Sequence, residues 1–189
     1  MRHKYETRGI VVARTPSGEA NAFITFITPG FGLVRARAQG LRRPGAKLAA
    51  ALTTFAESEL VLVHGKEYWR VTGAVPFENW FMRMQRSAPR KRASRVCGLL
   101  LRLVADEAHD TALFSVISGF FDALTVLPED THDAAEILAA LRVLAALGLD
   151  TGEIPGELSS FTPAILATVV RERPAYITRI NRGIVASGL

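Results

Sequence analysis

The sequence predicts an α+β protein, a small five-stranded β-barrel followed by an α-helical domain. Three observations predict it. From Arg8 to about Val75 the chain consists of short segments rich in β-branched and aromatic residues, punctuated by Gly and Pro. After Pro76 the apolar residues recur at the three-and-four spacing of helices. The length, 189 residues, suffices for one sizeable core or two small ones, since a domain usually takes about 100–200 residues. The boundary is placed at Pro76, giving residues 1–76 and 77–189.

In chain order, strands are expected at Gly9–Arg14, Ala22–Thr28, Leu33–Gln39, Phe55–Val63 and Tyr68–Ala74. Turns are marked by Pro16-Ser17-Gly18, Pro29-Gly30-Phe31-Gly32 and His64-Gly65-Lys66, the last a tight hairpin connection. Lys47-Leu48-Ala49-Ala50-Ala51-Leu52 is made of strong helix formers, so a short helix is expected there. Five strands with one helix between the third and fourth is the element order of an OB-fold, a barrel whose faces commonly bind oligonucleotides. An SH3-like barrel fits the strand count as well.

Helices follow. Val96, Leu99, Leu100, Leu103 and Val104 form one buried stripe, and Leu113, Val116, Ile117, Phe120, Phe121 and Leu124 a second. A third helix, Ala134 to Leu147, carries Ile137, Leu138, Leu141 and Leu144, with Thr131 or Asp133 as its cap and Gly148 as its stop. Thr162-Pro163 opens another, Pro174 interrupts it, and Ile177, Ile180 and Ile184 make the last stripe. Ser87-Ala88-Pro89-Arg90-Lys91-Arg92 reads as a turn between helices.

Composition and motifs exclude several function classes. No apolar run approaches the roughly 18 residues of a membrane span, and the first residues lack the apolar stretch of a secretory signal, so a cytoplasmic protein is expected. The lone cysteine, Cys97, allows no internal disulfide and reads as a buried thiol. Asp106-Glu107-Ala108-His109-Asp110 has the letters of a helicase box, but no Gly-x-x-x-x-Gly-Lys-Ser/Thr loop accompanies it, so it reads as a solvated helix end. His3, His64, His109 and His132 are scattered, without zinc spacing, and Gly-x-Ser-x-Gly is absent. Gly30-Phe31-Gly32 reads as a turn, not a dinucleotide site. The expectation is a binding protein with no catalytic residues, no metal and no cofactor.

Charge points to the ligand. Residues 1–95 hold 17 Lys/Arg against 6 Asp/Glu, and residues 96–189 hold 6 against 12, within an overall net charge of +5. A basic half beside an acidic one suggests a polyanion-binding module joined to something else. In the third strand, alternation places Leu33, Arg35, Arg37 and Gln39 on one face. These lead into Gly40-Leu41-Arg42-Arg43-Pro44-Gly45-Ala46-Lys47, a glycine-containing loop with three cations that can follow a phosphate backbone. Tyr68, Trp69 and Arg70, with Phe23 or Phe26, are candidate base-stacking surfaces, although each aromatic alone also suits a core. The DNA-binding candidates are therefore Arg35, Arg37, Arg42, Arg43, Lys47, Tyr68 and Arg70.

Specific segments also resemble a known family. Arg8-Gly9-Ile10-Val11-Val12, Gly18-Glu19-Ala20-Asn21, Gly32-Leu33-Val34-Arg35, Gly40-Leu41-Arg42-Arg43-Pro44 and Leu52-Thr53-Thr54-Phe55 look like RecO, with weaker similarity through Leu141 to Leu149 and Ile180 to Leu189. The resemblance implies an OB-fold and a helical domain that bind single- and double-stranded DNA, anneal complementary single strands and help load a recombinase, together with a RecR-like partner and single-stranded DNA-binding protein. It also implies bacterial, nucleoid-associated localisation. Departures exist: Asn21 stands where an acidic residue is expected, Gln39 where lysine is, and Thr53-Thr54 where Gln-Pro is. Many RecO proteins carry a zinc site after the helix ending here at Gly148, but Leu149 to Ser160 holds no cysteine. The chain is also shorter than expected for the family.

Three functions are open: a recombination mediator, a protein-interaction adaptor with incidental nucleic-acid binding, and an enzyme with an unrecognised site. Near the end, Arg179 and Arg182 beside Ile180 are candidates for receiving the acidic, apolar-ended tail of single-stranded DNA-binding protein. Alternatively, the isoleucines close a helical bundle and the arginines are solvated.

Overall fold

A computed structural model describes residues 3–104 and 111–188. They fall into two compact units, residues 3–83 with 111–114, and residues 84–104 with 115–188. The acidic cluster 106–110 lies outside the described residues.

The first unit is a closed barrel of β1 (Lys4–Ser17), β2 (Asn21–Thr28), β3 (Gly32–Ala38), β4 (Ala56–His64) and β5 (Trp69–Asn79), with α1 (Trp80–Arg83) at its end. The ring order is β1-β2-β3-β5-β4, and only the β3–β5 pairing is parallel. This is the OB-fold, as the element order predicts. β1 begins five residues before the expected Gly9 because it serves two neighbours. Lys4 to Ile10 pairs with β4, and Ile10 to Ser17 pairs with β2 across a register shift between Val11 and Ala13. Gly9 sits where the strands crowd: a Cβ there would lie 2.6 Å from the Leu60 Cδ1. β5 runs past the expected Ala74 to Asn79. Its Pro76 stands opposite Ser58, beside a bulge that accommodates a residue without an N–H.

Alternation decides which side chains fill the barrel. Ile24 and Phe26 of β2, Val34 and Ala36 of β3 and Leu60 and Leu62 of β4 point inward and are buried. The expected helix over Lys47–Leu52 is not formed. The segment is a series of turns whose one α-type bond runs from Leu52 N to Leu48 O, 3.0 Å. Six residues are too few to stabilise an isolated helix, and Leu48, Ala49 and Leu52 are drawn onto the barrel core instead.

The second unit is built from α2 (Ser87–Leu103), α3 (Ala112–Val126) from Ser115 onward, a 3-10 turn (Glu129–Thr131), α4 (His132–Ala146), α5 (Pro163–Arg171) and α6 (Arg173–Ala186). The expected turn at Ser87–Arg92 is instead the start of α2. Pro89 sits in its first turn, where the missing N–H has no intrahelical partner to lose. Val96, Cys97 and Leu100 are buried on α2, as are all six stripe residues of α3. Thr131 precedes α4 without capping it, its hydroxyl donating to Pro128 O (2.7 Å), and Asp133 is held by Arg173 (3.1 Å). Gly148, at φ +71°, ends α4 as expected: its N–H donates to Ala145 O and that of Leu149 to Leu144 O, a complete left-handed stop. Thr162 caps α5 through Ile165 N, and Pro174 occupies the first turn of α6.

Between α4 and α5 the chain has no regular structure, and two arginines organise it. Arg142, 1% exposed, donates from Nη1 to Leu158 O and Ser160 O and from Nη2 to Pro155 O, each 2.9 Å, beneath the Phe161 ring. Burial lowers the pKa of its guanidinium to about 10. Arg179 pairs with Asp150 and donates to Glu153 O (2.8 Å). Segment 149–160 supplies no Cys or His ligand and commits Asp150 to Arg179, so these residues do not fit a zinc site. Among the described residues no three His, Cys, Asp or Glu side chains gather to hold a metal, and no helix is long and apolar enough to cross a membrane.

Candidate nucleic-acid interface

The outward face of β2, β3 and the start of β5 gathers the predicted cations. Because Ala36 and Val34 point inward, Arg35 and Arg37 must point outward, with Thr25 and Phe23 as their partners across the β2–β3 register. Parallel pairing sets Arg70 beside Arg37. Arg35 is exposed, whereas Arg37, Tyr68 and Arg70 are half-buried. The Arg35 guanidinium carbon lies 4.5 Å over the Phe23 ring, and the Tyr68 ring meets Phe23 edge-on at 5.6 Å. Arg37 Nη1 donates to the Tyr68 hydroxyl (2.9 Å), while its buried Nε–H has no acceptor among the described residues.

The loop after β3 continues this surface. Gly40 and Gly45 take φ of +66° and +71°, conformations that L side chains avoid. Gly40 N donates to Asn21 Oδ1 (3.0 Å), and Arg42 N donates to Ala20 O (3.0 Å), tying the loop to the β1–β2 turn. Asn21 thus accepts the bond that an aspartate at this position would accept. Arg42 is exposed with its Nη1 on Gly18 O (3.0 Å), and Arg43 and Lys47 are exposed. Among the described residues none of Arg35, Arg37, Arg42, Arg43, Lys47 and Arg70 makes an ion pair, so their charge is uncompensated by carboxylates.

Two aromatic candidates are excluded from such a surface. Phe26 is 0% exposed inside the barrel. Trp69 packs on the core among Tyr5, Phe31 and His64, with ring centroids 5.2, 5.9 and 4.7 Å away. Inward and outward phenylalanines of one strand are distinguished only by parity, and Phe23 has the outward one.

The expected tail site near the chain's end is altered. Arg179 is bound to Asp150, and that hydrogen bond raises its pKa. Ile180 is 9% exposed, closing the unit rather than lining an open groove. Arg182 alone of the three is exposed without an ion pair among the described residues. A neighbouring cleft of about 430 Å³ has a floor of Ile137, Ala140, Ile177 and Ile180 and a rim of Arg92, Arg95 and Arg173. Those rim arginines are paired with Asp133 and Glu136.

A closed five-stranded barrel with this strand order, joined in one chain to a helical unit, defines a protein of the OB-fold class. Residues 1–80 match the family described as Recombination protein O N terminal. Proteins described as DNA repair protein RecO align with the chain. That of Heliobacterium modesticaldum is 32% identical over 169 residues, covering 84% of this chain and 59% of the relative. That of Bifidobacterium longum is 25% identical over 182 residues, 95% of this chain and 72% of the relative. That of Dehalococcoides mccartyi is 29% identical over 122 residues, 65% and 48%. The RecO N-terminal family thus matches residues 1–80, and the chain is similar to RecO proteins over most of its length. It spans about half the length of several curated relatives it matches.

Proposed function

We propose that this chain is a DNA-binding mediator of repair and recombination, which holds and anneals complementary single strands and helps load a recombinase on strands covered by single-stranded DNA-binding protein. The observation that carries this reading is the strip of Arg35, Arg37, Arg42, Arg43, Lys47 and Arg70, without carboxylate partners among the described residues, in a RecO-like barrel. No bond chemistry is needed. Cations along two strands displace condensed counterions and lower the strands' mutual repulsion, which promotes annealing without nucleotide hydrolysis. On this reading residues 1–76 hold DNA, and residues 77–189 meet partners such as a RecR-like protein.

The test is annealing of complementary oligonucleotides with and without the chain at several salt concentrations. Acceleration that fades with salt supports the reading. Salt-insensitive binding of a protein partner with no annealing would establish the adaptor alternative instead. For the acidic tail of single-stranded DNA-binding protein, Arg182 is the remaining candidate receiver, since Arg179 is bound to Asp150 and Ile180 is buried. Titrating a labelled tail peptide against wild type and an Arg182→Glu variant tests it: a loss of affinity supports the site, and equal affinities place the tail elsewhere.

A further inference from the structure

We propose that Arg35, laid over the ring of Phe23, is a stacking platform for an unpaired nucleobase, which makes the barrel face selective for single-stranded nucleic acid. The inference rests on the reading that this face binds nucleic acid and names which form it prefers.

The cations of the strip are not equivalent. Arg43 and Lys47 stand in the loop after β3 and are exposed, suited to phosphates. Arg35 is different. In the β2–β3 register Phe23 stands opposite Arg37 and Thr25 opposite Arg35, so Phe23 and Arg35 are diagonal neighbours on the outward face, within reach of long side chains. The guanidinium carbon is 4.5 Å from the ring centroid. The Phe23 ring is itself fixed, since Tyr68 meets it edge-on at 5.6 Å and 86°, and the Tyr68 hydroxyl accepts from Arg37 Nη1 at 2.9 Å. Arg35 remains exposed and carries no ion pair among the described residues, so nothing draws it off the ring.

A guanidinium is planar and weakly hydrated, and it stacks on aromatic rings and on bases alike. A base settling against this pair extends a column already begun by the protein, with the ordering of Arg35 accomplished beforehand. A duplex keeps its bases stacked on each other and offers the face only phosphates. Base stacking therefore adds affinity for unpaired strands alone, and Arg37 and Arg70 beside it are left for the backbone of the same strand.

The experiment compares three probes of equal length on the full chain at low salt: an oligothymidylate, a strand of abasic deoxyribose phosphates and a DNA duplex. Each is titrated against wild type, Arg35→Lys and Phe23→Leu, with thermal melts confirming that the variants fold. Lysine keeps the charge and loses the plane. The expected result is that wild type prefers the base-bearing strand over the abasic one by about tenfold, and that in both variants the ratio of the two affinities falls to about one. Equal affinity of wild type for the two strands overturns the platform and leaves the cationic face intact. A preference that survives in Arg35→Lys also overturns it. Failure of wild type to bind any probe removes the nucleic-acid reading and the platform together.

Discussion

The chain holds two populations of arginine. On the barrel, Arg35, Arg42 and Arg43 stand exposed without a carboxylate partner among the described residues. On the helical unit several arginines are matched, Arg86 with Glu129, Arg92 and Arg95 with Glu136, Arg173 with Asp133 and Arg179 with Asp150, whereas Arg182 has no ion pair among the described residues. The difference teaches that net charge counted along the sequence overstates one of these populations. Residues 1–83 carry 12 Lys/Arg against 6 Asp/Glu, while residues 84–189 carry 11 against 12. Five of the seventeen cations that make the first half look basic lie in residues 84–95, where α4 and the turn before it supply acids. Free charge, the quantity a polyanion meets, is concentrated on the barrel.

This contrast can be broken most directly by reversing charge. Replacing Arg35, Arg37, Arg42 and Arg43 with Glu should weaken DNA binding by about a thousandfold or more at moderate salt, with little change in melting temperature. In the wild type, if about six phosphates are met, the log–log salt slope for a single strand should be near −4, or roughly 300-fold between 50 and 200 mM. Anisotropy titrations measure both, and a flat salt profile would sink the electrostatic reading.

The matched population should respond in stability instead. Arg142→Leu leaves the carbonyls of Pro155, Leu158 and Ser160 without their donor, and should cost about 3–5 kcal/mol. Glu136→Gln weakens the pairs with Arg92 and Arg95 and should cost about 1–2 kcal/mol, because both partners are partly exposed. Denaturant titration reads each loss, and unchanged midpoints would refute the assignment of these arginines to structure.

Cys97 gives a smaller effect with a defined sign. Burial pushes its thiol up from 9.0 to about 12. The folded state therefore keeps its proton where the unfolded chain loses it. The associated stability is complete below pH 9 and is lost as pH rises from there toward 12. Denaturation midpoints of wild type should fall faster than those of Cys97→Ala across that window, and a thiol reagent at pH 8 should label the protein only as it unfolds. The smallest expected effect is that of a chelator, which should leave the melting temperature unchanged. Stoichiometric zinc in the purified chain, found by elemental analysis, would contradict that expectation.

What sequence conveys here is mainly local order. Alternation over Leu33–Gln39 places Arg35 and Arg37 outward because a strand fixes side-chain parity by itself, and the stripe Leu113 to Leu124 identifies α3 for the same reason. Long-range pairing is not legible this way. Nothing near Arg92 indicates that Glu136, forty-four residues on, neutralises it, and nothing near Phe23 indicates that Arg35 lies over its ring. Arg142 passes unnoticed within an apolar helix, since its partners are backbone carbonyls that carry no residue signature. Lys47–Leu52 shows the opposite failure: good helix formers yield to the packing of Leu48 and Leu52 on the barrel.

The parallel β3–β5 pairing closes the ring through only three residue pairs, Ala36 with Trp69, Arg37 with Arg70 and Ala38 with Val71, whereas β1–β4 and β2–β3 each have seven. This is the ring's shortest seam, and the first place where amide hydrogens would exchange by local opening. Arg37 and Arg70 stand on opposite sides of it. A strand whose phosphates bridge those two guanidiniums would act as a clasp, so occupancy of the face and protection of the β3–β5 amides should rise together.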